Sequence, residues 1–269
     1  MTSGKVVVVA SQKGGVGKTT LALNVSFALA RRSRRTLLID ADPQGSVGYS
    51  IQGEVHERPG LVEVLAGSQG FSEAVIRTRL KELDLLPVGS TSPATAFAWS
   101  AALEDGAQVG RLLDDVRRHY DLVLVDTPPT IGGVTLGLLL HADFVVLPLQ
   151  AEPLAARAVR HLLSALATLR QEGAQVQLAG LVLTMLQSRQ ESSLAVAEES
   201  WRLFPDRLVF DAAVPRDPAI LEASAAGVPV GLLHRRPPAV AAVFDQIAAE
   251  LETRIGLDTN DEQAIPLLG

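Results

Sequence analysis

A chain of 269 residues, 47% of them apolar, is long enough to bury a core unaided, and one large domain is the economical reading. The absence of cysteine removes disulfides, thiolate metal sites, iron–sulfur clusters and cysteine nucleophiles together, and a cytosolic setting fits best. With 30 Asp plus Glu against 24 Lys plus Arg, the net charge of -6 excludes a protein that coats nucleic acid through global charge and confines any DNA contact to a local basic face.

The opening stretch MTSGKVVVVA lacks the basic start, apolar core and small-residue cleavage site of a secretory signal, so no leader is expected. No apolar run approaches the roughly 18 residues of a membrane span, so no integral membrane segment is expected either. The first predicted element is a buried strand, KVVVVA at 5 to 10. It leads directly into Lys13-Gly14-Gly15-Val16-Gly17-Lys18-Thr19-Thr20 and then a helix from Lys18 to Arg32. Strand, glycine loop and helix in that order form the context a phosphate loop requires. Glycines let the backbone turn its N–H groups inward, the helix N-terminus adds positive potential, Lys18 supplies a charge for the β and γ phosphates, and Thr19 offers a hydroxyl to Mg²⁺. A glycine-rich turn without a ligand reads the same glycines, but not the two lysines that bracket them. A dinucleotide fingerprint fits poorly, because Thr20 replaces its third glycine and a lysine follows Gly17. The strict phosphate-loop pattern wants glycine where Gln12 stands and makes no demand for Lys13. From the shoulder of the loop, Lys13 is poorly placed for its own γ-phosphate and better placed for that of a facing subunit.

The second strand, TLLID at 36 to 40, runs into Asp40-Ala41-Asp42-Pro43-Gln44-Gly45, with two acids at the carboxyl edge where ligands sit in such sheets. Alternation sends Asp40 and Asp42 to the same side, so that one can support a metal's water shell while the other polarises an attacking water. A pair of acids capping a loop is the blander alternative. LDLLPV at 83 to 88 gives a third strand, and DLVLVD at 121 to 126 a fourth that ends in Asp126, as a Walker B strand must to hold Mg²⁺ through water. Thr127-Pro128-Pro129, then Gly132 and Gly133, make a stiff and then flexible segment suited to sensing a γ-phosphate. DFVVLPL at 143 to 149, a helix from Leu154 to Glu172, LAGLVLTM at 178 to 185, a helix from Ser192 to Phe204 and a short strand within Asp206 to Pro215 complete the alternation. The implied fold class is α/β, a mostly parallel, doubly wound sheet of about seven or eight strands with helices on both faces. Residues 1–255 form one expected domain, and 256–269, aperiodic and acidic, a loose tail. His56, His119, His141, His161 and His234 lack metal-ligand spacing, and Trp99 and Trp201 read as core. The run Arg31, Arg32, Arg34, Arg35 complements the dipole at the end of the first helix.

Ser11 to Thr20, with its early lysine, resembles the deviant Walker A loop of ParA-type (Soj-like) partition ATPases in the ParA/MinD superfamily. The resemblance extends from about Lys5 to Glu252 and implies a P-loop ATPase of that type using ATP and Mg²⁺. It implies that Lys13 acts in trans across a nucleotide sandwich homodimer, that Asp42 in switch I is the hydrolytic aspartate, that Thr19, Asp40 and Asp126 form the metal side, and that the segment after Asp126 is switch II. Val214-Pro215-Arg216-Asp217 resembles the family's adenine-side loop, although Pro and Asp also dominate ordinary turns. ATP is favoured over GTP because none of the chain's lysines, Lys5, Lys13, Lys18 and Lys81, stands in an Asn-Lys-x-Asp setting. Absent cysteine separates the chain from nitrogenase iron protein and arsenical-pump ATPases. An acidic end separates it from MinD-like membrane binding, and two tyrosines separate it from bacterial tyrosine kinases. Partition of a chromosome or plasmid with a ParB-like activator, on non-specific DNA in the cytoplasm and nucleoid, is the implied function, with no membrane partner. The DNA candidates are Arg189, Arg216, Arg235 and Arg236. Ala219 stands where relatives have a second DNA-contacting arginine. The alternatives are a ParA-like ATPase that positions a protein cargo, such as a chemoreceptor cluster or microcompartment, and a nucleotide-gated scaffold with negligible turnover.

Overall fold

The structure is a computed structural model, and it describes residues 3–53, 55–90, 106–150, 155–187, 190–204 and 208–257. Among these residues seven strands form one sheet: β1 (Lys5–Val9), β2 (Thr36–Asp40), β3 (Ile76–Arg77), β4 (Leu83–Leu86), β5 (Leu122–Asp126), β6 (Phe144–Gln150) and β7 (Gln177–Thr184). Their order is β3-β4-β2-β5-β1-β6-β7, and every pairing is parallel except β3 with β4. The helices are α1 (Lys18–Arg31), α2 (Ser46–Tyr49), α3 (Leu61–Leu65), α4 (Phe71–Ala74), α5 (Ala107–Val116), α6 (Gly133–His141), α7 (Ala155–Gln171), α8 (Glu191–Leu203), α9 (Pro218–Ala226) and α10 (Val240–Arg254).

Alternation along the strands explains the two-sided core. Val6, Val8, Leu37, Ile39, Val123 and Val125 pack into one apolar cluster with α3, α5, α6 and α7. Val7, Val9, Leu38, Leu122 and Leu124 pack into the other with α1 and α10. Strands covered on both faces need apolar residues at successive positions, which is why they read as unbroken β-branched runs. The doubly wound α/β class expected from the sequence is the one observed.

Two departures concern strands. The edge strand β3 was not expected, because two residues leave no periodicity to read. The short strand expected within Asp206 to Pro215 is corrected to a pair of isolated parallel bridges, Leu181 with Val209 and Leu186 with Pro215, with 205–207 outside the described residues. Pro215 cannot donate to a ladder, and Gly180, at φ 156, leaves no room for a side chain beside the Leu208 carbonyl. The expected tail residues 258–269, as well as Trp99, lie outside the described residues, and nothing is described of the Trp201 side chain.

The arginine run has a firmer role than a dipole complement. Arg32 and Arg34 both donate to Glu252, which is 1% exposed in α10, and Arg35 pairs with Asp121 ahead of β5. They clamp α1, which carries the glycine loop, to the last helix and the sheet. Only Glu252 is buried in these pairs, the Arg32 and Arg34 side chains being 43% and 26% exposed, and it keeps one arginine when the other is removed.

Candidate active site

The glycine loop leaves the carboxyl end of β1, between β5 and β6, where an open parallel sheet presents its crevice. Gly15 and Gly17 hold φ 73 and φ 88, left-handed conformations that a side chain would strain. A Cβ on either would meet nothing within 4 Å, so the loop faces open space. Gly17 caps α1 without a side-chain hydrogen bond, and no acid sits in the first turn, so the helix-start N–H groups remain available to an anion. The crest of the loop is pinned from below: Val16 is buried and its carbonyl accepts a hydrogen bond from Thr184 Oγ1 at the end of β7, at 2.9 Å.

Lys18 is only 7% exposed. Burial holds its ammonium below the usual lysine range, and the charges of Asp126 and Asp42 oppose that shift. Thr19 donates through Oγ1 to Asp126 Oδ2 at 2.6 Å, while Thr20 faces the neighbouring cleft. Lys13 is exposed and donates through Nζ to Gln150 Oε1 at 3.1 Å, at the end of β6.

The acids converge because the sheet register places Asp40 directly beside Asp126. Both are fully buried and continue the rows of Leu38 and Leu124 towards α1. Burial, then the neighbouring Asp126, pushes the Asp40 carboxyl well above the usual range. Asp126 is pushed up to about 7, chiefly by burial, against the Thr19 hydroxyl and Lys18. Asp40 accepts from the backbone N–H of Asp42 through Oδ1 and of Val47 through Oδ2, both at 3.1 Å. Asp42 is 6% exposed and accepts the Gln44 N–H through Oδ1 at 3.0 Å.

A divalent ion fits part of this donor set. Asp126 Oδ1 is buried without a hydrogen-bond partner, an oxygen left for a cation or its water. Among the described residues no group of three or more His, Asp or Glu converges as a ligand cage. Any ion here relies on Thr19, Asp126, water and phosphate oxygens, which is how Mg²⁺ is usually held. The expected metal residues Thr19 and Asp126 thus come together, whereas both Asp40 oxygens are committed to the backbone.

Beside the loop opens a mostly apolar cleft of about 290 Å³, lined by Gly17, Thr20, Leu21, Met185, Val214, Pro215, Arg216, Ile220 and Leu221, among others. Its far wall is stitched to the end of β7, since Leu186 N–H donates to the Val214 carbonyl and Arg216 N–H to the Leu186 carbonyl. Pro215 and Arg216 therefore line this cleft. Asp217 lines the same cleft but also caps α9, accepting the Ala219 N–H at 2.8 Å ahead of Pro218. Sequence reasoning missed Met185, a non-glycine residue at φ 54 in the cleft wall, and the Gln150 contact to Lys13. No local pattern signals either one.

Arg216, Arg235 and Arg236 are exposed, and Arg189 lies outside the described residues. Arg235 and Arg236 follow the turn Val230–Leu232, which is held to α1 by the Val230 N–H donating to Asn24 Oδ1 at 2.8 Å. Among the histidines, His234 is exposed, 3.7 Å from Glu222, and His141 packs against Gly110. Among the described residues no helix is long and apolar enough to cross a membrane.

Comparison with known proteins meets this geometry. The AAA domain family matches residues 4–179. The chromosome partitioning protein ParA of Caulobacter vibrioides is 34% identical over 255 residues, 93% of this chain and 94% of that protein. The sporulation initiation inhibitor protein Soj of Bacillus subtilis is 30% identical over 236 residues, 87% of this chain and 92% of that protein. Among solved structures, a Mycobacterium smegmatis protein described as cobyrinic acid a,c-diamide synthase, with bound ATP analogue and magnesium, superposes with a TM-score of 0.76 at 30% identity, covering 91% of this chain and 93% of that one.

Proposed function

This chain belongs to the ParA-type partition ATPases of the ParA/MinD superfamily, and on that premise we propose that it is a Mg²⁺-dependent ATPase that dimerises around ATP, binds DNA without sequence preference in that state, and lets go on hydrolysis. The single observation that carries the reading is the convergence of Lys18, Thr19, Asp42 and Asp126 beneath a glycine loop that faces open space.

The triphosphate lies along the loop and the α1 N-terminus, its β and γ oxygens near Lys18, with the base in the apolar cleft against Pro215 and Leu221. Thr19 and Asp126 would hold Mg²⁺, which would supply positive charge to the phosphates. Hydrolysis attaches a water oxygen to the γ-phosphorus while the bond to the β–γ bridging oxygen breaks, giving ADP and phosphate. Asp42 orients that water and receives its proton. Lys13, exposed on the shoulder of the loop, reaches the phosphates of the second copy, so the site is complete only in the dimer. Arg189, Arg216, Arg235 and Arg236 of the two copies then form one surface, and doubling a weak phosphate-binding patch makes binding useful at physiological salt. The mechanism needs a slow intrinsic rate and a partner of the ParB kind to trigger release, since the bound state then acts as a timer. The setting is the cytoplasm, on the nucleoid, where the chromosome or plasmid is the cargo.

The test is ATP turnover and sedimentation in parallel, with Mg²⁺, for the wild type and Asp42→Ala. The expected result is slow turnover by the wild type, none by the variant, and ATP-dependent dimers for both. Absence of wild-type turnover with DNA and partner present would leave only a nucleotide-gated scaffold.

A further inference from the structure

Asp40 was expected on the metal side, but its contacts point elsewhere. Its carboxylate is fully buried and spans the two ends of the loop that carries Asp42, with Oδ1 accepting the Asp42 N–H and Oδ2 the Val47 N–H, each at 3.1 Å. Between those anchors the chain makes a tight turn, with the Gly45 N–H donating to the Asp42 carbonyl at 2.8 Å and Gly45 at φ 62. Val47 is itself fully buried, so the second anchor is fixed to the core rather than to a mobile surface. At the other end the Ala41 N–H donates to the Asp126 carbonyl at 2.9 Å, which ties the start of the loop to β5. The Asp42 side chain is thereby aimed from a backbone held on both sides.

We propose that Asp40 is a positioning residue for Asp42: it sets the geometry of the water-orienting carboxylate through two backbone N–H groups and keeps those bonds when Mg²⁺ and nucleotide bind. The proposal rests on the ATPase reading above for its kinetic consequence, but not for its structural one. Each carboxylate oxygen keeps a second lone pair, so a contact to a metal-bound water can coexist with these bonds, but a buried N–H deprived of its acceptor is costly. Turning Asp40 to ligate the metal directly would orphan the Asp42 and Val47 amides and release the loop at the moment Asp42 must be fixed. The orphaned oxygen of Asp126 and the Thr19 hydroxyl supply the metal side without it. Small displacements of a positioned group cost rate rather than ground-state affinity.

Amide hydrogen exchange, followed residue by residue in the wild type with and without Mg²⁺ and a non-hydrolysable ATP analogue, tests the structural half. The expected result is that the Asp42 and Val47 amides stay protected or gain protection on addition of Mg²⁺ and analogue. Loss of protection at either amide, as Asp40 turns to the metal, overturns the proposal. The near-isosteric Asp40→Asn tests the kinetic half, because its amide can serve only one of the two N–H groups as acceptor. Turnover should fall by about tenfold or more, with the half-saturating Mg²⁺ concentration and the nucleotide affinity within about twofold of wild type. Added to Asp42→Ala, it should change turnover no further. A tenfold rise in half-saturating Mg²⁺, matching Asp126→Asn, would return Asp40 to the metal and sink the proposal. Should the variant not fold, the wild-type exchange measurement decides alone. It also reads out if the wild type proves not to hydrolyse ATP, so the two readings fail separately.

Discussion

At the proposed phosphate end of the cleft Lys18, Asp40, Asp42 and Asp126 are all buried; Asp40 accepts the Asp42 N–H, Asp126 the Thr19 hydroxyl and Asp42 the Gln44 N–H. At the proposed base end, Leu221 is 75% exposed, Arg216 stands at the rim, and the wall is apolar side chains hung on a few backbone bonds. The contrast fits what each end would hold under the proposed function. Charge on a phosphate has to be met by groups that cannot move, since fixed dipoles and charges lose nothing to reorganisation. A flat base needs only apolar area and is served by any wall of the right width. Changes at the phosphate end should therefore cost rate or affinity by orders of magnitude, and changes at the base end by small factors.

The largest expected effect is on turnover. Asp42→Ala should lower kcat by about 10²–10⁴-fold while nucleotide affinity and ATP-dependent dimers persist, because only the transition state loses a partner. Steady-state turnover near that of the wild type would remove Asp42 from the water.

Next comes affinity. Lys18→Ala should weaken nucleotide binding by about 100-fold, through loss of a charge-assisted contact to phosphate. Lys13→Ala should leave binding to one copy unchanged and abolish the dimer, as read by calorimetry and sedimentation. Normal ATP-dependent dimers from the Lys13 variant would remove it from the partner's site.

The third effect is on stability and has a definite sign. In the ligand-free fold the Asp126 carboxyl is pushed up to about 7 by burial, with Thr19 and Lys18 opposing and Asp42 reinforcing the shift. A carboxyl that titrates higher folded than unfolded stabilises the fold below its unfolded pKa, and that contribution is lost as pH rises through 7. Between pH 5 and 8 the wild type should lose on the order of 2 kcal/mol relative to Asp126→Asn, measured by denaturant unfolding without nucleotide. A gap that does not grow with pH would show the carboxyl to be ionised throughout.

The smallest effect sharpens the contrast from the base end. Asp217→Ala should cost about 1 kcal/mol of stability as a lost helix cap, with nucleotide affinity changed by no more than a few-fold. A hundredfold loss of affinity would make the base end as demanding as the phosphate end.

The same contrast explains what the sequence disclosed. The glycine loop, Asp42 and Asp126 were legible because each sits at a strand's carboxyl end, within a few residues of a recognisable periodicity, and the sheet register does the rest. The commitment of Asp40 to Val47 was not legible, since it depends on where a four-residue helix packs seven residues later. Asp217 carried two readings in sequence, nucleotide loop and plain turn, and it serves as a cap while lining the cleft. The two-residue β3 gave no pattern, and the strand pattern within Asp206 to Pro215 reduces to bridges at Val209 and Pro215, because pairing there is decided by neighbours distant in the chain. The arginines of the first helix end hid their partner Glu252, more than two hundred residues away.

The central claim is that ATP converts an acidic protein into a DNA-binding one, and a salt titration of DNA binding tests it most directly. Affinity would be measured with ATP, with ADP and without nucleotide, for the wild type and for Arg189, Arg235 and Arg236 replaced together by Ala. The expected result is binding only with ATP, falling steeply as salt rises, with a slope that flattens by roughly one for each phosphate contact removed per binding unit. ATP-driven dimerisation of the triple variant should be unchanged. A wild type with ATP that shows no affinity for DNA even at low salt would contradict the claim, and a protein cargo would then be the better reading.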